Sequence, residues 1–294
     1  MRGWLYGAAS AALFGISAPL SKALLPNIPP VMLAGLLYLG AALGLTIVAQ
    51  LRKRPWPHFS RSDKQRLACI ALVGGFVAPT LLLIGLGRVS GIAGSLLMNL
   101  ESVFTIVLAT WLFGERLRST EWAGAALMVA GAAMIAYQPG ATHIDALGVL
   151  AIAAACAGWA VDNNLTQQIS SHDPVAIVQV KGLTAGIGNV LLALAIDQTV
   201  APGMAPLIAC VVGFVCYGVS IVLDVYALRY LGAAREAAIF ATAPFIGAAA
   251  AIPILGEQFS LSLFATAVLM AAGLVFFKAG TRRVRTPNDT PVRA

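Results

Sequence analysis

An apolar run that begins at Ala146 ends in an acid and two amides, Asp162-Asn163-Asn164, with apolar or small residues again beyond them. Lys181 stands alone in the next apolar run, and Glu101 falls in the middle of an earlier one. Runs of roughly 20 apolar residues cross a bilayer as helices. A charge at the centre of such a helix costs about 2.5–3.5 kcal/mol even on the most lenient scale, so it survives only where something faces it. Asp162 and Lys181 fall on consecutive antiparallel helices, and the helix rise puts both about 6–8 Å from the membrane middle on the same side. An ion pair is therefore within reach. It would serve as a structural clasp, or as a cavity pair for which a substrate's ammonium or carboxylate competes. Either way, losing one partner should be worse than losing both.

Burial disfavours the ionised form of a carboxyl. Glu101 is thus a candidate for a group alternately charged and neutral, as proton-coupled exchange requires; a neutral, hydrogen-bonded packing role is the alternative. Asn99 points elsewhere on the same helix. Asn163 adjoins Asp162, while Phe14, Trp159 and Tyr217 offer aromatic faces either to a ligand or to packing and lipid. Asp162, Asn163, Lys181, Glu101, Trp159, Phe14 and Tyr217 form the candidate substrate and coupling set. Asp224, Arg229, Arg235 and Glu236 cluster at a helix turn and read as surface pairs; Glu115 and Glu257 read as caps of corresponding helix ends.

Other chemistries find less footing. The four cysteines lie inside apolar runs without zinc or disulfide spacing. His58, His143 and His172 lie in loops, so no metal site is expected, and no cofactor. A membrane transferase acting on pyrophosphates would need paired acids two to four residues apart to hold Mg²⁺, whereas Asp162 has only amides beside it. A non-transporting membrane subunit is the third reading.

The elements that must position these residues are membrane helices. The chain has 294 residues, 59% hydrophobic and 11% charged, against about 25% charged in soluble domains. The net charge of +7 does not imply nucleic acid, because the bases lie in short loops and the tail. Ten spans are expected: Trp4–Leu25, Pro30–Leu51, Leu67–Leu86, one ending near Phe113, Thr120–Tyr137, Ala146–Gln168, Pro174–Ile196, Pro206–Leu228, Arg235–Leu255 and one ending at Lys278. Pro19, Pro79 and Pro244 fall inside spans, and Gly40-x3-Gly44 and Gly182-x3-Gly186 predict close helix packing. With the start inside, every base except Lys22, Arg88 and Lys181 falls on the cytoplasmic side, as the positive-inside rule requires, which puts both termini in the cytoplasm.

The second half repeats the first. Laying Gly148 on Gly3 sets Trp159 on Phe14, Thr166 on Ser21 and Pro174 on Pro29; further on, Gly256-Glu257 matches Gly114-Glu115 and Ala272-Gly273 matches Ala130-Gly131. Five helices per half is an odd number, so the halves (1–137 and 146–278, followed by a cytoplasmic tail 279–294) enter the membrane from opposite sides. Inverted repeats of this kind hold a substrate site near the midplane and support alternating access. The fold expected is an all-α membrane protein, ten transmembrane helices in two inverted five-helix repeats.

The five-plus-five layout, Phe14-Gly15 and Trp159-Ala160 in the first helix of each half, and the Leu112-Phe113-Gly114-Glu115 and Ile254-Leu255-Gly256-Glu257 ends resemble the drug/metabolite transporter superfamily, specifically its EamA-like members. The resemblance spans about Gly3 to Lys278. It implies an export carrier, in a bacterial inner membrane, with a cavity lined mainly by helices 1, 3, 4, 6, 8 and 9. Pro244-Phe245 fits the family's usual proline. Glu101-Ser102-Val103-Phe104, at the matching place in helix 4, departs from it with serine for proline and an acid before it. With Lys181 the sole buried base against Glu101 and Asp162, the charge balance favours a zwitterionic or cationic small molecule, such as an amino acid or a drug-like amphiphile. The sequence leaves the oligomeric state open.

Overall fold

The computed structural model of the chain describes residues 2–53, 56–113, 118–137, 145–231, 236 and 239–281. Among these, all regular structure is helical. The helices are α1 Arg2–Leu24, α2 Pro30–Leu51, α3 Arg61–Leu86, α4 in two pieces (Gly91–Leu97 and Leu100–Phe113), α5 Ser119–Ala136, α6 Ala146–Ile169, α7 Pro174–Ala195, α8 Met204–Leu231, α9 Ala243–Leu255 and α10 Leu261–Thr281. Six of them, α2, α3, α5, α6, α7 and α8, are long and apolar enough to cross a membrane. At 22 residues, α2 is about 33 Å long, close to the hydrocarbon thickness of a bilayer.

Polarity is inverted relative to a water-soluble bundle. Leu43, Ile47, Trp111, Leu191, Phe264 and Val275 are exposed, whereas Ser10, Asn99, Asp162, Lys181 and Asn189 are buried. Lipid is the solvent that makes this arrangement stable.

Local chemistry sets the helix ends. Proline opens α2 and α7, where its missing N–H is no loss. The α3 helix begins at Arg61, earlier than the expected Leu67. Ser60 and Asp63 form a capping box there, with the Asp63 N–H donating to Ser60 Oγ at 3.1 Å and the Ser60 N–H to Asp63 Oδ2 at 3.2 Å. The α1 helix runs on past Pro19.

The main packings pair α2 with α7, α5 with α10 and α4 with α9; α1 lies on α8 and α9, α6 on α3 and α4, α2 on α8 and α7 on α3. Exchanging every helix for the one five places along maps this set onto itself. Glycine-dependent contacts follow the expected spacing: Gly40 meets the Cys210 carbonyl and Gly44 the Phe214 ring, while Gly182 and Gly186 meet Tyr38 and Leu39.

Two expected single spans are interrupted. The α4 helix breaks at Met98-Asn99, so Glu101 sits in the first turn of a second piece rather than mid-helix. Asn99 Nδ2 donates to the Leu96 carbonyl at 3.0 Å, and the backbone there makes tight three-residue bonds. The α9 span is likewise interrupted: Glu236 and residues 239–240 are helical, a turn follows at Ala241-Thr242, where Thr242 Oγ1 donates to the Ile239 carbonyl at 2.6 Å, and the helix resumes at Ala243. In both places a short polar side chain takes a carbonyl three residues back and competes with the helix ladder.

Candidate functional site

The helices α6 and α7 run antiparallel through the short turn Ser170–Asp173, bringing Lys181 Nζ onto Asp162 Oδ2. Asp162 Oδ1 accepts from Thr166 Oγ1, one turn along, at 3.1 Å. Both charged side chains are almost fully buried, 9% and 5% exposed, so the pair is sealed.

Its third wall is α3. Between Ile70 and Val77 this helix widens to π geometry, and the Ala78 N–H reaches back five residues to Val73. The Gly74 carbonyl would look in turn to Pro79, which has no N–H to give. It accepts instead from Trp159 Nε1 at 3.0 Å and the Tyr38 hydroxyl at 3.2 Å. Gly74 is required here, because a Cβ would fall on the Asp162 carboxyl. The proline thus breaks the ladder without leaving a buried carbonyl unpaired, and ties α2 and α6 to α3.

Beside this clasp, aromatic rings converge on Phe14. Trp159 and Tyr217 meet it edge-on at centroid distances of 6.2 and 6.0 Å, Phe240 lies 5.2 Å away, and Tyr38 meets Tyr217 at 5.6 Å. The three aromatics expected from the sequence do meet. Tyr38, Phe240 and Gly74 were not foreseen. The signals were faint: one hydroxyl in the hydrocarbon run of α2, and Gly74-Gly75 four residues ahead of a helical proline.

Glu101 is held differently. Its Oε1 accepts from Asn163 Nδ2 at 2.7 Å, and it is only half-buried; Asn163 is exposed. An acid and an amide inside membrane spans are disfavoured against lipid, and here they satisfy one another. Glu101 lies within electrostatic reach of Asp162, Lys181 and Asp224. Asn164 turns away to the Thr105 and Ala160 carbonyls at 3.2 and 2.8 Å, and Asn99, as expected, does not approach Glu101.

The expected surface cluster at the α8–α9 turn is corrected. Glu236 is buried and lies beside Asp224, with Glu101 within electrostatic reach, and one oxygen of each, Glu236 Oε1 and Asp224 Oδ1, is buried without a hydrogen-bond partner. Arg229 does not join them; it donates to the His172 carbonyl at 3.0 Å and lies over the Tyr226 ring. Arg235 and Glu115 lie outside the described residues. Glu257 does cap a helix, with its two oxygens accepting from the Gly91 and Ile92 N–H groups at 2.5 and 2.9 Å.

These features define a multi-pass membrane protein with a polar and aromatic centre built from several helices. The profile of the EamA-like transporter family matches residues 1–137 and again 146–278. This chain belongs to that family, within the drug/metabolite transporter superfamily, and is a membrane transporter of that kind. It is 27% identical over 282 residues to an "Uncharacterized transporter" of Methanothermobacter thermautotrophicus, covering 89% of this chain and 81% of the other. It is also 27% identical over 299 residues to a "Probable amino-acid metabolite efflux pump" of Salmonella typhimurium, covering 93% and 94%. A solved crystal structure shares the fold at a TM-score of 0.67 and 19% identity, covering 97% of this chain and 98% of that one.

Proposed function

We propose that the chain is a secondary carrier that exports a small zwitterionic or cationic metabolite by alternating access. In this reading residues 1–137 and 146–278 are five-helix repeats inserted in opposite senses, giving ten spans, with both termini and the 279–294 tail in the cytoplasm of a bacterial cell. Asp162 and Lys181 hold the wall of the site, Phe14, Trp159 and Tyr217 shape it, and Glu101 with Asn163 faces the cargo and exchanges a proton for it. The observation that carries this is the five-place exchange of helix packings, together with the matching interruptions of α4 and α9. A pseudo-twofold bundle has two arrangements of similar energy, obtained by swapping the roles of its halves. The name of the Salmonella relative, "Probable amino-acid metabolite efflux pump", supports small metabolites as cargo and export as direction.

The test is efflux of an amino-acid and amine panel from cells carrying wild type, Glu101→Gln, Asp162→Asn or empty vector, repeated in vesicles with and without an imposed pH gradient. Export by wild type alone, steepened by the gradient, is the expected result. Equal efflux from all four strains would remove the carrier reading.

A further inference from the structure

The membrane interior holds an uneven set of charges. Lys181 is committed to Asp162, and Lys22 donates to the Leu86 and Val89 carbonyls at 2.7 and 2.6 Å. Among the described residues, Glu101 has an amide as its hydrogen-bond partner, with Lys181 only within electrostatic reach, and Asp224 and Glu236 lie beside one another. Among the described residues, therefore, three carboxyl groups lie within electrostatic reach of one another with no ion pair to a base, and the bases inside the spans, Lys22 and Lys181, are already committed.

Position adds to charge. Trp159 and Asn163 are four residues apart and share one face of α6, about 6 Å apart along its axis. The Glu101 carboxylate, held by Asn163, thus lies one turn from the indole that meets Phe14, with Tyr217 and Phe240 around the same ring. Glu101 is half-buried and Asn163 exposed, whereas the Asp162–Lys181 pair is sealed. Glu101 is thus the more accessible of the two acids, while Lys181 is closed off with Asp162.

We propose that the cargo is a hydrophobic monocation, an amine on an apolar body, with its ammonium on Glu101 and its body against Phe14, Trp159, Tyr217 and Phe240. This rests on the carrier reading and narrows it, since an amino acid would bring a carboxylate that finds no partner. Aromatic faces attract cations through the ring quadrupole, and more strongly when water is excluded. Leaving a ligand's carboxylate unpaired in such a site is the kind of mismatch that discriminates strongly between otherwise similar molecules. An anion would in addition meet three acids.

Three ligands with one ring and different charge decide it: phenethylamine (cation), phenylalanine (zwitterion) and phenylacetate (anion). Binding to the purified full-length protein is measured by calorimetry, and exchange of each labelled compound is measured in proteoliposomes. Phenethylamine is expected to bind at least tenfold tighter than phenylalanine, with phenylacetate undetected. Glu101→Gln should lose tenfold or more of the amine affinity and Phe14→Leu severalfold, while thermal melting shows both variants folded. Phenylalanine binding as tightly as the amine, amine affinity unchanged in Glu101→Gln, or no binding of the amine would each overturn the inference. Should phenylalanine be the compound exchanged, the carrier reading stands and only the choice of cargo falls. Exchange of none of the three, nor of tetraphenylphosphonium or any member of the metabolite panel, would take both.

Discussion

Two acids on different helices, Asp162 and Glu101, come close in space in this bundle and are treated in opposite ways. Asp162 is sealed, with Lys181 on one oxygen and Thr166 on the other, and Gly74 is kept small to admit it. Glu101 is half-open and has one amide. Burying a charge with its partner fixes helices together but leaves nothing for a ligand to bind. A carboxyl left short of partners costs stability, and is retained where it has another use. In the proposed carrier, the contrast separates the groups that build the wall from the group assigned to the cargo.

The strongest way to break that contrast is to remove one side of the clasp. Asp162→Asn or Lys181→Met should each destabilise the protein by about 3–5 kcal/mol, and the double variant by much less, as read from denaturant unfolding in detergent. Glu101→Gln, by comparison, should shift stability by less than about 1 kcal/mol while abolishing amine-dependent exchange. If Glu101→Gln unfolds the protein as readily as Asp162→Asn, the two acids are not different in kind. Next in size, Glu257→Ala removes a carboxylate from two helix-terminal N–H groups and should cost about 1.5–3 kcal/mol. Tyr38→Phe takes one donor from the Gly74 carbonyl but leaves Trp159, for a loss of about 0.6 kcal/mol, as is usual for a hydrogen bond between membrane helices.

The smallest effect lies outside the membrane. Asp145 accepts from the Leu147 N–H at 2.8 Å and from Arg88 Nη1 at 2.5 Å, and these hold its carboxyl below the ordinary aspartate range, the backbone bond first. A lowered folded-state value means that its stabilisation is present above the unfolded-state value of about 3.9 and is lost as pH falls through the folded one. Melting of wild type between pH 5 and 3 should therefore decline slightly more steeply than that of Asp145→Asn.

Much of this was legible in the residues. The apolar runs gave α2 and α7 their starts at Pro30 and Pro174, the glycine spacings gave close-packing faces on both helices though not their partners, and helix depth gave the Asp162–Lys181 pair. The misses share a cause: they depend on which helices meet rather than on any one helix. Nothing near Gly74 in sequence says that Tyr38 and Trp159 will take its carbonyl. Asp224 and Glu236 looked like surface groups because Arg229 and Arg235 stand beside them in the chain. Space instead gives Arg229 to the α6–α7 turn. The break at Asn99 was hidden because one amide in a hydrocarbon run reads as tolerable, and only its bond to Leu96 shows it competing with the backbone.

Lys22 and Glu257 come from the two halves of the chain and grip the same short turn between α3 and α4, the lysine on carbonyls at its start and the glutamate on amides at its end. Each charge is opposite in sign to the partial charge of the helix terminus it touches. Any rocking that draws α1 or α9 away from this turn must first undo a two-pronged latch of opposite polarities. If the chain works by the alternating access proposed above, that end is biased shut at rest, by an amount that neutralising either residue would reduce.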